Sequence, residues 1–299
     1  MNQKNNGHKI SIGMPVYNGQ RFLKERLNSI LNQTYSNFEL IISDNASTDL
    51  TPKICQEYTL KDKRIRYVRQ DNNMGPLWNF KFVLKQSVNE YFVWAAIDDQ
   101  WHPEFLQKNI DILEKNENVV CSIGDVTYSD VINYEFKINN DTQKNFEYRY
   151  VKPAYGTYES KVRTYLKFFQ ASMIYGLYRR EKLQKSITMN NIFAASDLAI
   201  ILNVLKYGDL HVINKNLLHR YSKSSHSIIE IMHKFNVNLI DIIFLELHFT
   251  IWCLKNIGFK NFIKNFDLFL KINLRGELVI LFETIRIIKR VIFRQGMFW

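Results

Sequence analysis

Cysteine is scarce in this 299-residue chain. The three present, Cys55, Cys121 and Cys253, are odd in number and far apart, with no CxxC pair. That argues against a disulfide framework or a cysteine zinc site and fits a reducing compartment. Long apolar runs are missing as well. The opening MNQKNNGHKI has no apolar stretch of the kind a secretory leader carries. No window supplies the roughly 20 uncharged apolar residues that a spanning helix needs, and the best candidate, 235–254, is broken by Asp241, Glu246 and His248. No GxGxxG follows the first apolar run, which disfavours a nicotinamide-dinucleotide fold. Nothing resembles a nucleic-acid reading motif, and there is no internal repeat or low-complexity tract. Acid is the scarcer charge, 29 Asp and Glu against 40 Lys and Arg, a net +11. A basic balance suits a polyanionic partner such as nucleic acid, an anionic membrane or a phosphorylated substrate, or it is a solvated surface.

What is present is enough apolar material for a large core, 46% of residues with 14% aromatic, and a regular pattern. KISIGMPVY, FELIIS, IRYVR, YFVWAAI and VVCSI read as five strands, separated by helical segments. In the first of these segments Leu23, Leu27, Ile30 and Leu31 share a face. Thr51-Pro52, Pro76 and Pro103 open the next three helices. Strands that are apolar throughout and alternate with helices predict an α/β fold, a mostly parallel sheet with helices on both faces. Residues 126–157 read as an irregular polar connection. ASMIYGLYRREKL reads as a strand running into a helix, and SDLAIILNVLKYG as a helix opened by a Ser-Asp cap.

In such sheets ligands bind at the carboxyl ends of strands. Three polar clusters fall there: GMPVYNG after the first strand, SDNASTD after the second, and the acids of AAIDDQWHPEFL after the fourth. Adjacent carboxylates, Asp98 and Asp99, cannot both be buried unpaired. Either a hard divalent cation joins them, held also by a nucleotide's phosphates, or one caps the following helix and the other is solvated. Asp44 leaves an apolar strand where a carboxylate can take hydrogen bonds from a base or a ribose, while Asp49 or Thr51 caps the next helix. Tyr17 offers a stacking or packing surface.

These residues together resemble the family 2 glycosyltransferases of the GT-A fold. The likeness runs from SIGMPVYNGQRFLKERLNSILNQTYSNFELIISDNASTDLT through DDQWHPEFL to YGLYRREKL and ASDLAIILNVLKYGDLHVI. It implies inverting transfer of a sugar from a UDP- or dTDP-sugar to a hydroxyl of a polysaccharide or lipid-linked glycan. Aligned on Trp101 and Pro103, the second acid of the family's metal-binding pair is Asp98, and Ala96 stands where the first would be. The resemblance implies Asp197 as catalytic base, with Ser196 where a Glu usually precedes it. It also implies a nucleotide-sugar site from Pro15, Tyr17, Asn18, Asp44, Asn45, Ser47, Asn73, Gly75, Asp98 and Arg220, and a Mg²⁺ or Mn²⁺ ion held by Asp98, Asp99 and His226. A nucleotidyltransferase would want a Gly-rich basic loop where PVYNGQR stands; an inactive glycan-binding or scaffold relative is the other alternative, motivated by Ala96.

The texture changes near residue 227. Residues 1–226 read as the glycosyltransferase domain and 227–299 as a helical, basic, amphipathic extension. Glu283, Arg286, Arg290 and Arg294 fall in one narrow arc among large apolar residues. That is the pattern of a helix lying on an anionic membrane, or of one packed on the domain or on another subunit. The expectation is a cytoplasmic protein held peripherally on the inner face of the membrane, without nucleic acid, and able to oligomerise through these helices.

Overall fold

In a computed structural model of the chain the described residues are 9–129, 147–149, 151–169, 171–187, 195–221 and 246–274. The first half follows the predicted alternation. Strands β1 (Ile10–Val16), β2 (Phe38–Asp44), β3 (Ile65–Arg69) and β4 (Tyr91–Trp94) are linked by α1 (Leu23–Leu31), α2 (Thr51–Lys61) and α3 (Pro76–Gln86). All pair in parallel in the order β3-β2-β1-β4. The chain moves from β1 to β2 and β3 on one side and returns to β4 on the other, so the order reverses beside β1. The crevice at the carboxyl end of such a switch is the ligand position in open α/β sheets. β1 and β4 part after Gly13 and Trp94, and Pro15 sits just past their last pair, where its missing N–H leaves no bond of that ladder unmade.

The second half extends the sheet with strands of both directions. β5 (Asp99–Trp101) and α4 (Phe105–Lys115) precede β6 (Val119–Ser129) and β7 (Glu147–Arg149). After them come α5 (Tyr158–Phe168), a 3₁₀ turn (Ala171–Tyr175), β8 (Leu177–Arg179), α6 (Arg180–Ser186), α7 (Ser196–Val204) and β9 (Asp209–Tyr221). β8 runs antiparallel to both β4 and β6, so β6 points the same way as β4, and β9 is parallel to β6. The far ends of β6 and β9 therefore reach the same edge as Asp98. There β5 folds back and pairs antiparallel with β9, Asp99 opposite Arg220.

Several expectations are corrected. The fourth strand stops at Trp94 instead of Ile97; Ile97 and Asp98 form a turn, and Asp99 begins β5. The fifth strand runs on to Ser129, through irregular steps near Asp125, because β9 gives it a partner along its whole length. ASMIY is a 3₁₀ turn, not a strand, short apolar runs being ambiguous by periodicity alone. No side chain caps α7: Ala195 opens it in the left-handed conformation, φ 63°. Arg220, assigned to the nucleotide-sugar site, lies inside β9.

The core is continuous through both halves and reaches past the expected boundary at 226–227, which itself lies outside the described residues. α8 (Leu247–Asn256) buries Phe249 and Cys253, with Phe249 edge-on to Phe169 at 5.9 Å. α9 (Phe259–Lys264) and helical residues 266–274 follow. The three cysteines are buried and unbonded. Among the described residues no helix is long and apolar enough to cross a membrane. The helix expected over 277–299 lies outside them.

Candidate functional site

The loops after β1, β2 and β3 are knit into one surface. Asn18 N–H donates to Ser47 Oγ at 2.9 Å and its Oδ1 accepts the Thr48 N–H at 2.8 Å. Gly19 N–H reaches Thr51 Oγ1, Gln20 N–H reaches Asp49 Oδ2, and Leu50 N–H returns to Gln20 Oε1. Asp49 Oδ1 takes the Thr51 N–H at the head of α2, the capping role expected of it. The second loop is tied to the third through Asn45. Its Nδ2 donates to Asn73 Oδ1 and to the Gly75 carbonyl, and its Oδ1 accepts from Met74 N–H. Gly75, at φ 83°, turns the chain into α3 as a residue with a side chain could do only under strain.

Asp44, expected to face the nucleotide, is fully buried beneath this surface. Its Oδ1 accepts the Ser47 N–H at 2.9 Å and its Oδ2 the Tyr67 hydroxyl at 2.8 Å, with Arg69 Nε 3.9 Å away. Arg69 also donates to the Ser47 carbonyl. The carboxylate thus fixes the shape of the second loop from below. Asn45 and Ser47 are buried with it, whereas Tyr17 stands about half exposed at the rim.

The first loop also touches the turn that carries Asp98. A Cβ at Gly19 would lie 1.8 Å from Ile97 Cδ1, so glycine is what allows the approach. Asp98 accepts the Tyr221 N–H through its backbone carbonyl, and no hydrogen bond to its carboxylate is found among the described residues. It is partly exposed, while Asp99 is buried. Asp99 Oδ1 accepts Arg220 Nε at 2.9 Å, and Oδ2 is buried with no hydrogen-bond partner. Burial pushes the Asp99 carboxyl up to about 7, against the pull of Arg220. The Arg220 guanidinium also lies 4.3 Å from the Tyr175 ring centroid. The basic residue assigned to the nucleotide is therefore committed first to Asp99.

These oxygens bear on the expected metal. Two hard carboxylates, one partly open and the other with an orphaned buried oxygen, fit a Mg²⁺ or Mn²⁺ ion whose remaining ligands are phosphate and water. Among the described residues no three His, Cys, Asp or Glu side chains come together as a closed protein cage, and His226 lies outside them.

Asp197 is partly buried at the first turn of α7, where its Oδ1 accepts the Leu198 N–H at 2.9 Å. Burial raises its carboxyl above the usual range; its own turn's N–H groups and Arg220 offset part of that. Glu246, at the head of α8, is a carboxylate that the sequence reading did not single out. Burial, with the Asp197 charge adding to it, lifts its carboxyl to about 7, and Oε2 has no hydrogen-bond partner. Its only signal in the sequence is a lone acid before an apolar helix. Three residues with side chains at positive φ, Asn18, Ala46 and Ala195, occur in the segments that carry this edge, strain of the kind that collects at ligand sites. An open hollow of about 560 Å³ beside Lys115, Tyr155 and His211 lies at the opposite, amino edge of β6 and β9.

A model of the family described as "Glycosyl transferase family 2" matches residues 11–187. A Haemophilus influenzae protein known only as an uncharacterized glycosyltransferase is 33% identical over 112 residues, 38% of this chain and 35% of its own length. TuaG of Bacillus subtilis, provisionally named a teichuronic acid biosynthesis glycosyltransferase, is 28% identical over 40% of this chain and 46% of its own. The match thus spans between about a third and a half of these relatives. Among solved structures, S. aureus TarS residues 1–349 in complex with UDP-GlcNAc superposes with a TM-score of 0.62 over 82% of this chain and 66% of that one. At 18% identity this is a likeness of fold, the GT-A fold. With the family model covering more than half of its length, the chain belongs to glycosyl transferase family 2.

Proposed function

We propose that the chain transfers a sugar, with inversion, from a nucleoside diphosphate donor to a hydroxyl of an envelope glycan. The observation that carries this is the convergence at one sheet edge of a partly open carboxylate, Asp98, and a second with raised proton affinity, Asp197, around the Asp99–Arg220 pair. Single displacement needs a base on the acceptor side and positive charge on the leaving-group side. Asp197 is the base: burial raises its proton affinity above that of an ordinary carboxylate, which suits it to take the acceptor hydroxyl's proton. Asp98, with the buried, unpartnered oxygen of Asp99, would hold Mg²⁺ or Mn²⁺, which when bound offsets the charge growing on the leaving diphosphate. The knit loops supply the nucleoside's seat. Tyr17 borders it, Asn18, Asn45, Ser47, Asn73 and Gly75 keep its backbone in place, and Asp44 supports it from beneath. TarS supports a UDP-sugar donor, having been solved with UDP-GlcNAc, and the name of TuaG supports a wall or capsular glycan acceptor.

Calorimetric titration of UDP and UDP-sugars with and without Mn²⁺ tests this. Asp98→Asn should abolish transfer and weaken nucleotide binding only when metal is present. Equal metal-dependent affinity in variant and parent would overturn the assignment of Asp98.

A further inference from the structure

The described end of the chain shows a stripe that its own core does not use. Phe259, Ile263, Phe266, Leu270 and Leu274 recur at intervals of four, three, four and four residues. All five lie between 49% and 71% exposed. The opposite side of the same helices is satisfied, since Phe262, Leu268, Phe269 and Ile272 are buried, with Phe262 stacked on Phe269 at 4.7 Å. Ile251 and Leu254 of α8 are exposed too. Exposed apolar residues that recur at helical spacing beside a satisfied buried face mark an interaction surface.

Charge selects the partner. Between residues 247 and 274 there are four lysines, Lys255, Lys260, Lys264 and Lys271, and one acid, Asp267. All four lysines are exposed. Lys264 and, at 4.0 Å, Lys260 face Glu159, and Asp267 is engaged by Arg163, which leaves Lys255 and Lys271 as the face's uncommitted charges among the described residues. A second copy laid on this face would set lysine against lysine. An anionic bilayer would accept the apolar stripe between its headgroups and pair the lysines with lipid phosphates. The sequence beyond Leu274 is also net basic, with Arg275, Arg286, Lys289, Arg290 and Arg294 against Glu277 and Glu283, and no acid from Arg286 onward. We infer that the exposed face of α9 and residues 266–274 is a docking surface for an anionic lipid bilayer, holding the enzyme flat on the membrane.

Flotation of the full chain with phosphatidylcholine vesicles, and with vesicles of phosphatidylcholine and phosphatidylglycerol in equal parts, tests this. The salt is varied from about 0.01 M to about 1 M, over which the screening length falls from about 30 to about 3 Å. The parent should float with the anionic vesicles at low salt and be released at high salt. Phe266→Asn with Leu270→Asn should lower partitioning by at least about tenfold. Lys255→Gln with Lys271→Gln should lower it on the order of tenfold for anionic vesicles alone. A cooperative melt at the parent's temperature checks folding, and Phe259→Asn with Leu274→Asn is a second probe of the stripe should the first pair unfold. The inference is overturned if the parent ignores anionic vesicles at low salt, or if the stripe variants float like the parent. A parent that sediments as a dimer, dispersed by the same substitutions, would overturn it in favour of self-association.

Discussion

Removing Arg220 should expose how much of the site rests on one buried ion pair. The Asp99 side chain is wholly buried and that of Arg220 is 20% exposed, with Nε and Oδ1 2.9 Å apart. Arg220→Met strands the Asp99 carboxylate in a dry setting beside Asp98. Breaking a buried pair from one side costs about 3–5 kcal/mol, and losing the guanidinium from the Tyr175 ring adds about 0.5–2 kcal/mol. Asp99→Leu strands the guanidinium and should cost a similar amount. Replacing both leaves no charge to solvate, so the double variant should recover at least about 2 kcal/mol relative to the sum of the singles. Urea unfolding of the four proteins gives the cycle directly, provided the slope stays constant. Arg220→Lys should fall between, keeping the charge but losing the planar fork. Additivity within about 0.5 kcal/mol, or an Arg220→Met cost below about 1 kcal/mol of the kind seen for solvent-screened pairs, would refute the reasoning.

Asp197→Asn should leave nucleotide affinity and melting temperature near the parent while turnover drops by about 10²–10⁴-fold; a variant that loses stability and activity together would mean that Asp197 serves the helix and not the reaction. Glu246 carries a pH signature. Burial lifts its carboxyl from 4.5 to about 7, so between those values the folded chain holds a proton that the unfolded chain releases. The parent should therefore lose stability as pH rises through that window, and Glu246→Gln should pull ahead by on the order of 2–3 kcal/mol at about pH 8. A gap that stays constant across the window would contradict this. Gly19→Ala should push Ile97 away and cost about 1–3 kcal/mol, loosening the turn that bears Asp98. Adding Ile97→Ala should restore nucleotide binding, and no rescue would mean that the contact does not position Asp98.

The sequence by itself determined the first half of the fold. Strand and helix are local choices set by apolar periodicity and by residues such as Pro52, Gly75 and Pro76, and the interval from Ile10 to Trp94 needs no distant partner to be read. The polar clusters after β1 and β2 were legible for the same reason, and so was the cap at Asp49. Only the tertiary structure decided the rest. β6 extends to Ser129 because β9 arrives alongside it, and a register between segments about ninety residues apart leaves no periodic trace in either. Asp99 reads only as one of two adjacent acids in need of a partner; that Arg220, 121 residues later, lies opposite it is decided by the sheet. That Asp44 also accepts from the Ser47 N–H and the Tyr67 hydroxyl cannot be read from the strand that carries it. Glu246 reads only as a lone acid before an apolar helix until the fold buries it near Asp197. Local pattern fixes which way a side chain can point, but whether a carboxylate meets water, an arginine or a buried hydroxyl is set by which strands pair, and pairing is a property of the assembled sheet.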